Sequence, residues 1–176
     1  IYVSDNAFSP YGPRPQSEII SRAMSITDFL IKNGAGIIVI ACNTATAAAI
    51  EELRWKYEIP FVGMEPAVKP AAKMSKTKVI GVLATKGTFM GRLYNKTLRR
   101  FATGLRVVEK VGTGLVDIVE NGKADTPESK RLLLKYITPM VSKGADYIVL
   151  GCTHYPFLSD QIREIAGEGV TLVDPA

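Results

Sequence analysis

The sequence predicts an α/β fold built from two pseudo-symmetric parallel-sheet domains, the first of them incomplete in this chain. Three observations predict it. Short apolar runs of strand length alternate with longer segments whose apolar residues recur at helical spacing. The strand-like runs are continuously apolar, as expected of parallel strands covered on both faces. Finally, one segment occurs twice, as GAGIIVIACNT at 34–44 and GADYIVLGCTH at 144–154. Each copy reads as a helix end, an apolar strand, and a cysteine where the strand stops: Cys42 and Cys152. A duplicated strand that delivers a thiol at the same point twice points to two related half-sites facing one small molecule.

Residues 1–4 read as a short strand. Residues 5–15 read as a loop, because Pro10, Gly12, Pro13 and Pro15 block regular structure. In 17–33 the residues Ile19, Ile20, Ala23, Ile26, Phe29 and Leu30 recur at helical spacing, and Gly34 and Gly36 end that helix. A strand at 37–41, covered on both faces, leads to Cys42. Residues 42–46 cross into a helix containing 47–57, capped by Thr44 or Thr46. Another strand spans 60–64. A boundary follows near 65–69, then a helix at 68–74, a strand at 78–84, a loop at 85–88 and a helix from about 89 to 101.

Val107 lies in a strand, and 115–121 form a short helix ended by Gly122. Thr126, with Pro127 and Glu128, starts a helix running to about 143 through Pro139, a potential kink. A strand at 148–151 leads to Cys152. Residues 153–156 turn into a helix ending near 166, and 171–173 form a last strand. The expected division is 1–66 for the partial first domain and 67–174 for the second, with 175–176 starting a return to the first. Asp5, Cys42, Thr85 and Cys152 all fall at predicted strand ends, where open parallel sheets bind ligands.

Composition narrows the function classes. A chain of 176 residues, 47% of them hydrophobic, can bury a real core. No run of about 18 apolar residues occurs, so no membrane span is expected. No basic stretch leads into an apolar run and cleavage site at the start, so no signal peptide is expected. The absence of an initiator Met suggests a processed or incomplete chain. The formal charge is +5, but Lys73, Lys76, Lys78, Arg99, Arg100, Lys130 and Arg131 are dispersed and not interleaved with aromatics. That is a pattern of solvated helix faces, not of a nucleic-acid surface. Two cysteines make a poor disulfide framework at this length.

What the thiols do is left open by the residues alone. Both can be plain core thiols. A redox pair lacks CxxC spacing. A metal site would have only two thiols and the sole histidine, His154, an incomplete set. One thiol could act as a nucleophile with His154 as base. The duplication favours a fourth chemistry, in which one thiol removes a proton from a carbon and the other returns one to the opposite face. In that case Asp5 would orient or hold the Cys42 proton, and His154 and Glu120 would do so for Cys152. Asn43, Thr44, Thr85, Thr88 and Thr153, with nearby backbone N–H groups, would grip carboxylates. The plainer roles are helix caps for the threonines, an Asx turn for Asp5 and a solvated helix end for Glu120.

Seven segments carry a family resemblance: DNAFSPYG at 5–12, ACNTATA at 41–47, VGMEPAVKPA at 62–71, GVLATKGT at 81–88, LVDIVENG at 115–122, LGCTHYPFL at 150–158 and LVDPA from 172. By these the chain resembles the glutamate racemases of the aspartate/glutamate racemase superfamily, nearly end to end. The resemblance implies an active site between the two domains. It also implies interconversion of L- and D-glutamate without pyridoxal phosphate, metal or other cofactor, supplying D-glutamate for bacterial peptidoglycan in the cytoplasm. Cys42 would handle the α-proton of D-glutamate and Cys152 that of L-glutamate, assisted by Asp5 and by Glu120 with His154. Pro10, Tyr11, Gly12, Asn43, Thr44 and Thr153 match substrate-contacting positions, and Thr85 and Thr88 lie near the site.

Glutamate is the implied partner, with neither nucleic acid nor membrane, and a homodimer is among the implied arrangements. The family pattern has a DSG-type loop before the point where this sequence starts, and a C-terminal return after the point where it stops. Pro13 stands where many members have Ser or Thr, removing a hydroxyl and an N–H donor. A racemase of another amino acid such as aspartate, or an amino-acid-binding fragment of this fold, remains the alternative.

Overall fold

A computed structural model describes residues 1–174. The predicted return at 175–176 lies outside the described residues. The chain folds around two parallel sheets, one of two strands and one of four.

The first is formed by β1 (Ile38–Ile40) and β2 (Phe61–Gly63), with Ile38 opposite Phe61 and Ile40 opposite Gly63. Helices α1 (Gln16–Lys32) and α2 (Asn43–Lys56) pack with them around Ile38, Ala49, Ile50, Leu53 and Phe61. Two expectations fail here. The strand was expected to be covered on both faces, but Val39 is 65% exposed and Val62 is exposed too. Among the described residues nothing packs over that side. Residues 1–4 do not form a strand: a strand needs a ladder partner, and Ile1 and Tyr2 stand 78% and 88% exposed instead. Asp5 therefore lies in a turn, not at a strand end.

The second sheet contains β3 (Val79–Ala84), β4 (Arg106–Val111), β5 (Tyr147–Gly151) and β6 (Thr171–Val173), in the order β4-β3-β5-β6 and parallel throughout. Its side chains alternate between two cores, as strand geometry requires. Ile80, Val82, Ala84 and Val149 meet α3 (Val68–Met74) and Tyr94 of α5 (Arg92–Phe101). Leu83, Ile148 and Leu150 face α6 (Leu115–Glu120), α7 (Pro127–Val141) and α8 (Ser159–Ala166). Helix α7 begins as predicted, with Thr126 accepting from the Ser129 N–H, and continues through Pro139.

The sequence duplication is a duplication of geometry. Gly34 and Gly144 adopt φ of +87° and +89°, conformations that suit glycine. In both copies the glycine N–H bonds back three residues, to Ile31 and to Val141. The next N–H bonds back five, from Ala35 to Leu30 and from Ala145 to Met140. This Schellman termination aims each chain into a parallel strand, and each strand then ends at its cysteine.

The expected single helix at 89–101 is two helices. Thr85 caps α4 (Lys86–Met90) by accepting from the Thr88 N–H, and the chain turns at Gly91 into α5. A Cβ on Gly91 would lie 2.5 Å from the Cβ of Ala47. The break thus lets the α4–α5 joint sit directly on α2, bringing the Thr85 segment to the Cys42 segment.

Candidate active site

Cys42 follows β1 and is itself the N-cap of α2: its Sγ accepts from the Ala45 N–H at 3.5 Å. Thr44 and Thr46, expected as caps, lie inside the helix, and Thr46 instead donates to Ile40 O and accepts from the Met64 N–H. Cys152 follows β5 and is buried, 7% exposed, just before a 3₁₀ turn at Tyr155–Leu158. Burial pushes both thiols up. Cys152 is raised to about 12, against the pull of the His154 and Tyr155 N–H groups and with a further push from Cys42. Each thiol lies beside backbone N–H groups that favour a thiolate once it forms.

Beside Cys152 stand His154 and Glu120. His154 places Nδ1 3.7 Å from Sγ, and its Nε2 pairs with Glu120 Oε1 from the end of α6. The structure brings these three residues together, although Glu120 lies 34 positions from His154. Tyr155 is fully buried and donates to Gly112 O at 3.3 Å. A Cβ on Gly112 would collide with that hydroxyl at 2.4 Å.

On the other side is the loop 5–15. The Tyr11 hydroxyl donates to Asp5 Oδ2 at 2.5 Å. Arg22 grips the same carboxylate with Nε at 3.0 Å and Nη2 at 2.7 Å. Hydrogen bonding from Arg22 holds Asp5 below the usual carboxylate range, against the cost of burial. Tyr11 is raised by burial, by Asp5 and by the nearby charge of Cys42. Pro10, just before Tyr11, is joined to Ser9 by a cis peptide bond, and Gly12 packs against Thr85, to which a Cβ would come within 3.4 Å.

Between the two thiol segments, three buried threonine hydroxyls form a triangle. Thr44 lies 2.8 Å from Thr85 and 3.4 Å from Thr88, and Thr85 lies 3.0 Å from Thr88. Thr88 also donates to Gly151 O, next to Cys152. Asn43 is 1% exposed, and neither its amide N nor its amide O has a hydrogen-bond partner. Buried amides are rarely left so. Thr153 lies half-buried between Cys152 and His154.

Sequence reasoning missed Arg22. It lies on a helix whose polar positions read as a solvated face, and nothing local marks it as the partner of Asp5. No group of three His, Cys, Asp or Glu side chains among the described residues is gathered to hold a metal ion. No helix among the described residues is long and apolar enough to cross a membrane. A groove of about 760 Å³ lies away from the thiols along α5, between Glu51, Met90, Arg92 and Arg99. It is open surface that gathers no reacting group.

Known proteins place this geometry. The Asp/Glu/Hydantoin racemase family model matches residues 1–176. Glutamate racemase of Roseiflexus sp. (strain RS-1) is 47% identical, the match covering 100% of this chain and 65% of that protein. Glutamate racemase of Cupriavidus pinatubonensis is 43% identical, covering 99% and 64%. This chain thus spans just under two thirds of the length of these relatives. Among solved structures, the RacE1 isoform of glutamate racemase from Bacillus anthracis superposes with a TM-score of 0.86 at 34% identity, covering 99% of this chain and 66% of that one. Escherichia coli glutamate racemase, in complex with L-glutamate and the activator UDP-MurNAc-ala, gives 0.84 at 32%, covering 97% and 65%. With parallel sheets that end in paired thiols and a full-length match to the family model, this chain belongs to the Asp/Glu/hydantoin racemase family.

Proposed function

We propose that this chain provides both thiol half-sites of a glutamate racemase that works without a cofactor, Cys42 and Cys152 acting on opposite faces of the substrate α-carbon. The observation that carries the reading is the pair of thiols at equivalent strand ends, Cys152 buried and Cys42 half-buried. One thiolate takes the α-proton, leaving a carbanion conjugated with the carboxylate. The opposite thiol then delivers its own proton, and inversion results. Following the resemblance, Cys42 acts on D-glutamate and Cys152 on L-glutamate. The domains, 1–66 and 67–174, would close around the substrate.

The cost lies in the protonation states. Burial favours neutral thiols, so the site must form a thiolate when substrate is bound. For Cys152, the His154 imidazole is placed to take the thiol proton, and Glu120 is placed to stabilise the imidazolium. A thiolate formed in such a place is a stronger base than one in water, which suits a weakly acidic α-hydrogen. Asn43, with both amide atoms unpaired, would bind a carboxylate through its N–H₂ group. Thr44, Thr85, Thr88 and Thr153 supply hydroxyls around it, and Tyr11 and Gly12 approach from the loop. Preorganised donors of this kind stabilise the charge that develops on the substrate carboxylate.

Glutamate is the substrate this reading assigns. The product, D-glutamate, would serve peptidoglycan synthesis in the cytoplasm. Cys42→Ala and Cys152→Ala test the mechanism in the intact protein. Each is expected to abolish racemisation while leaving the circular-dichroism spectrum intact. Full turnover in either single variant would rule out two-base chemistry.

A further inference from the structure

The three threonine hydroxyls that link the two thiol segments are buried, and their protons can be counted. A hydroxyl has one proton to donate and two lone pairs with which to accept. Thr88 donates to Gly151 O, 3.4 Å away, and a carbonyl can only accept. Its 3.0 Å contact with Thr85 therefore needs the Thr85 proton. With that proton spent, the 2.8 Å contact between Thr85 and Thr44 needs the Thr44 proton. Thr85 also accepts from the Thr88 N–H at 3.2 Å, so its one donor and two acceptor positions are all filled. The result is a directed chain, from Thr44 to Thr85 to Thr88 to Gly151 O.

Both ends of that chain adjoin a thiol. Thr44 lies in the first turn of α2, two residues past its cap, Cys42. Burial raises that thiol, and the Thr44 N–H is among the donors that pull it back. Gly151 O belongs to the peptide that joins β5 to Cys152. The α4 turn is pressed against α2 here: a Cβ on Gly87, between Thr85 and Thr88, would lie 2.8 Å from Thr44 Cγ2.

We propose that Thr88 is a positioning residue of the two-thiol reaction: its hydroxyl ties the helix that begins at Cys42 to the carbonyl that precedes Cys152, and so fixes the separation of the two half-sites. This rests on the racemase reading and narrows it. Thr85 and Thr88 hold the frame, and substrate contact is left to the other polar groups of the site. Once one thiolate has taken the α-proton, the carbanion has two fates. A proton from the opposite thiol gives inversion, and a proton returned by the same thiol gives retention. A slackened frame displaces one thiol relative to the other, so return gains on inversion.

The test follows the intact protein with each enantiomer in deuterated water. It reads kcat, KM and the early ratio of deuterated, uninverted substrate to inverted product. In Thr88→Val, kcat is expected to fall about tenfold, KM to stay within about twofold, and the ratio to rise about threefold or more. Thr88→Ser keeps the hydroxyl and should restore all three. A purely structural role would lower the amount of folded protein and leave KM and the ratio unmoved. A double-mutant cycle in urea reads the link without turnover. The Thr44→Val, Thr88→Val double variant should keep an unfolding equilibrium about tenfold more favourable to the folded state than two independent losses would leave. An unmoved ratio in Thr88→Val, a rise in KM alone, or additive losses in the cycle would each overturn the proposal. If Thr88→Val does not fold, Thr88→Ala carries the same test. Wild-type protein that racemises glutamate beside an unaltered Thr88→Val would leave the racemase reading standing and this proposal fallen. Wild-type protein that does not racemise would bring down both.

Discussion

His154 stands with its Nδ1 3.7 Å from the Sγ of Cys152, and its other ring nitrogen is held by Glu120. Two residues on one turn are thereby joined to a third at the end of α6. His154→Asn should lower kcat/KM by about a hundredfold, the usual scale of a lost general acid–base partner. Glu120→Gln should cost less, about tenfold, since the imidazole remains. The two enantiomers have equal free energy, so the fall in kcat/KM must be the same in both directions. Steady-state kinetics with each enantiomer checks both points.

Asn43 is a buried amide with no hydrogen-bond partner, and such a group costs about 1–3 kcal/mol in a folded interior. Asn43→Leu, similar in size and apolar, is therefore expected to leave thermal stability unchanged or to raise it by a few degrees. The same change should raise KM for glutamate at least tenfold. A thermal scan beside a KM measurement separates a binding residue from a structural one, which would show the opposite pattern.

Cys152 gives stability a pH dependence. Its folded value lies above the ordinary thiol value, so the stabilisation from the neutral buried thiol is complete below about pH 9. It is lost as pH rises from there toward 12. The total is on the order of a few kcal/mol. Tyr94 and Tyr155 are also raised by burial, so the comparison must be with Cys152→Ala. Between pH 8 and 11 the urea midpoint of wild type should fall more steeply than that of Cys152→Ala. Parallel slopes would count against the burial of this thiol.

The hydroxyl triangle links the two thiol segments through Thr44 on α2 and Thr85 and Thr88 at α4. Thr44→Val keeps the shape and removes one corner, leaving buried oxygens with fewer partners. A loss of about 1–3 kcal/mol in urea unfolding is expected, together with reduced turnover. Thr126→Val, which removes the side-chain cap of α7, should cost about 1 kcal/mol and leave turnover unchanged.

What was legible in the sequence was what local chemistry writes. The repeated glycine that ends a helix, the apolar strand after it and the cysteine at its end could be read twice over, and the structure repeats them down to the backbone angles of Gly34 and Gly144. The pairing of His154 with Cys152 was legible because the two are neighbours in the chain. Arg22 was not legible, because its partner Asp5 lies 17 residues away across an irregular loop and a salt bridge leaves no periodic trace. The cap of α2 was misread because serine-like residues are the common caps, whereas here a cysteine sulfur takes that place. Val39 was misread because an apolar side chain carries no label saying which face of a sheet is covered.

The most direct test is to incubate the intact protein with D-glutamate and, separately, with L-glutamate in deuterated water, following optical rotation and α-hydrogen exchange. The two-thiol account predicts that each enantiomer is inverted, with deuterium from solvent appearing at Cα of the product. A folded protein that binds glutamate yet neither exchanges its α-hydrogen nor inverts it would contradict the account.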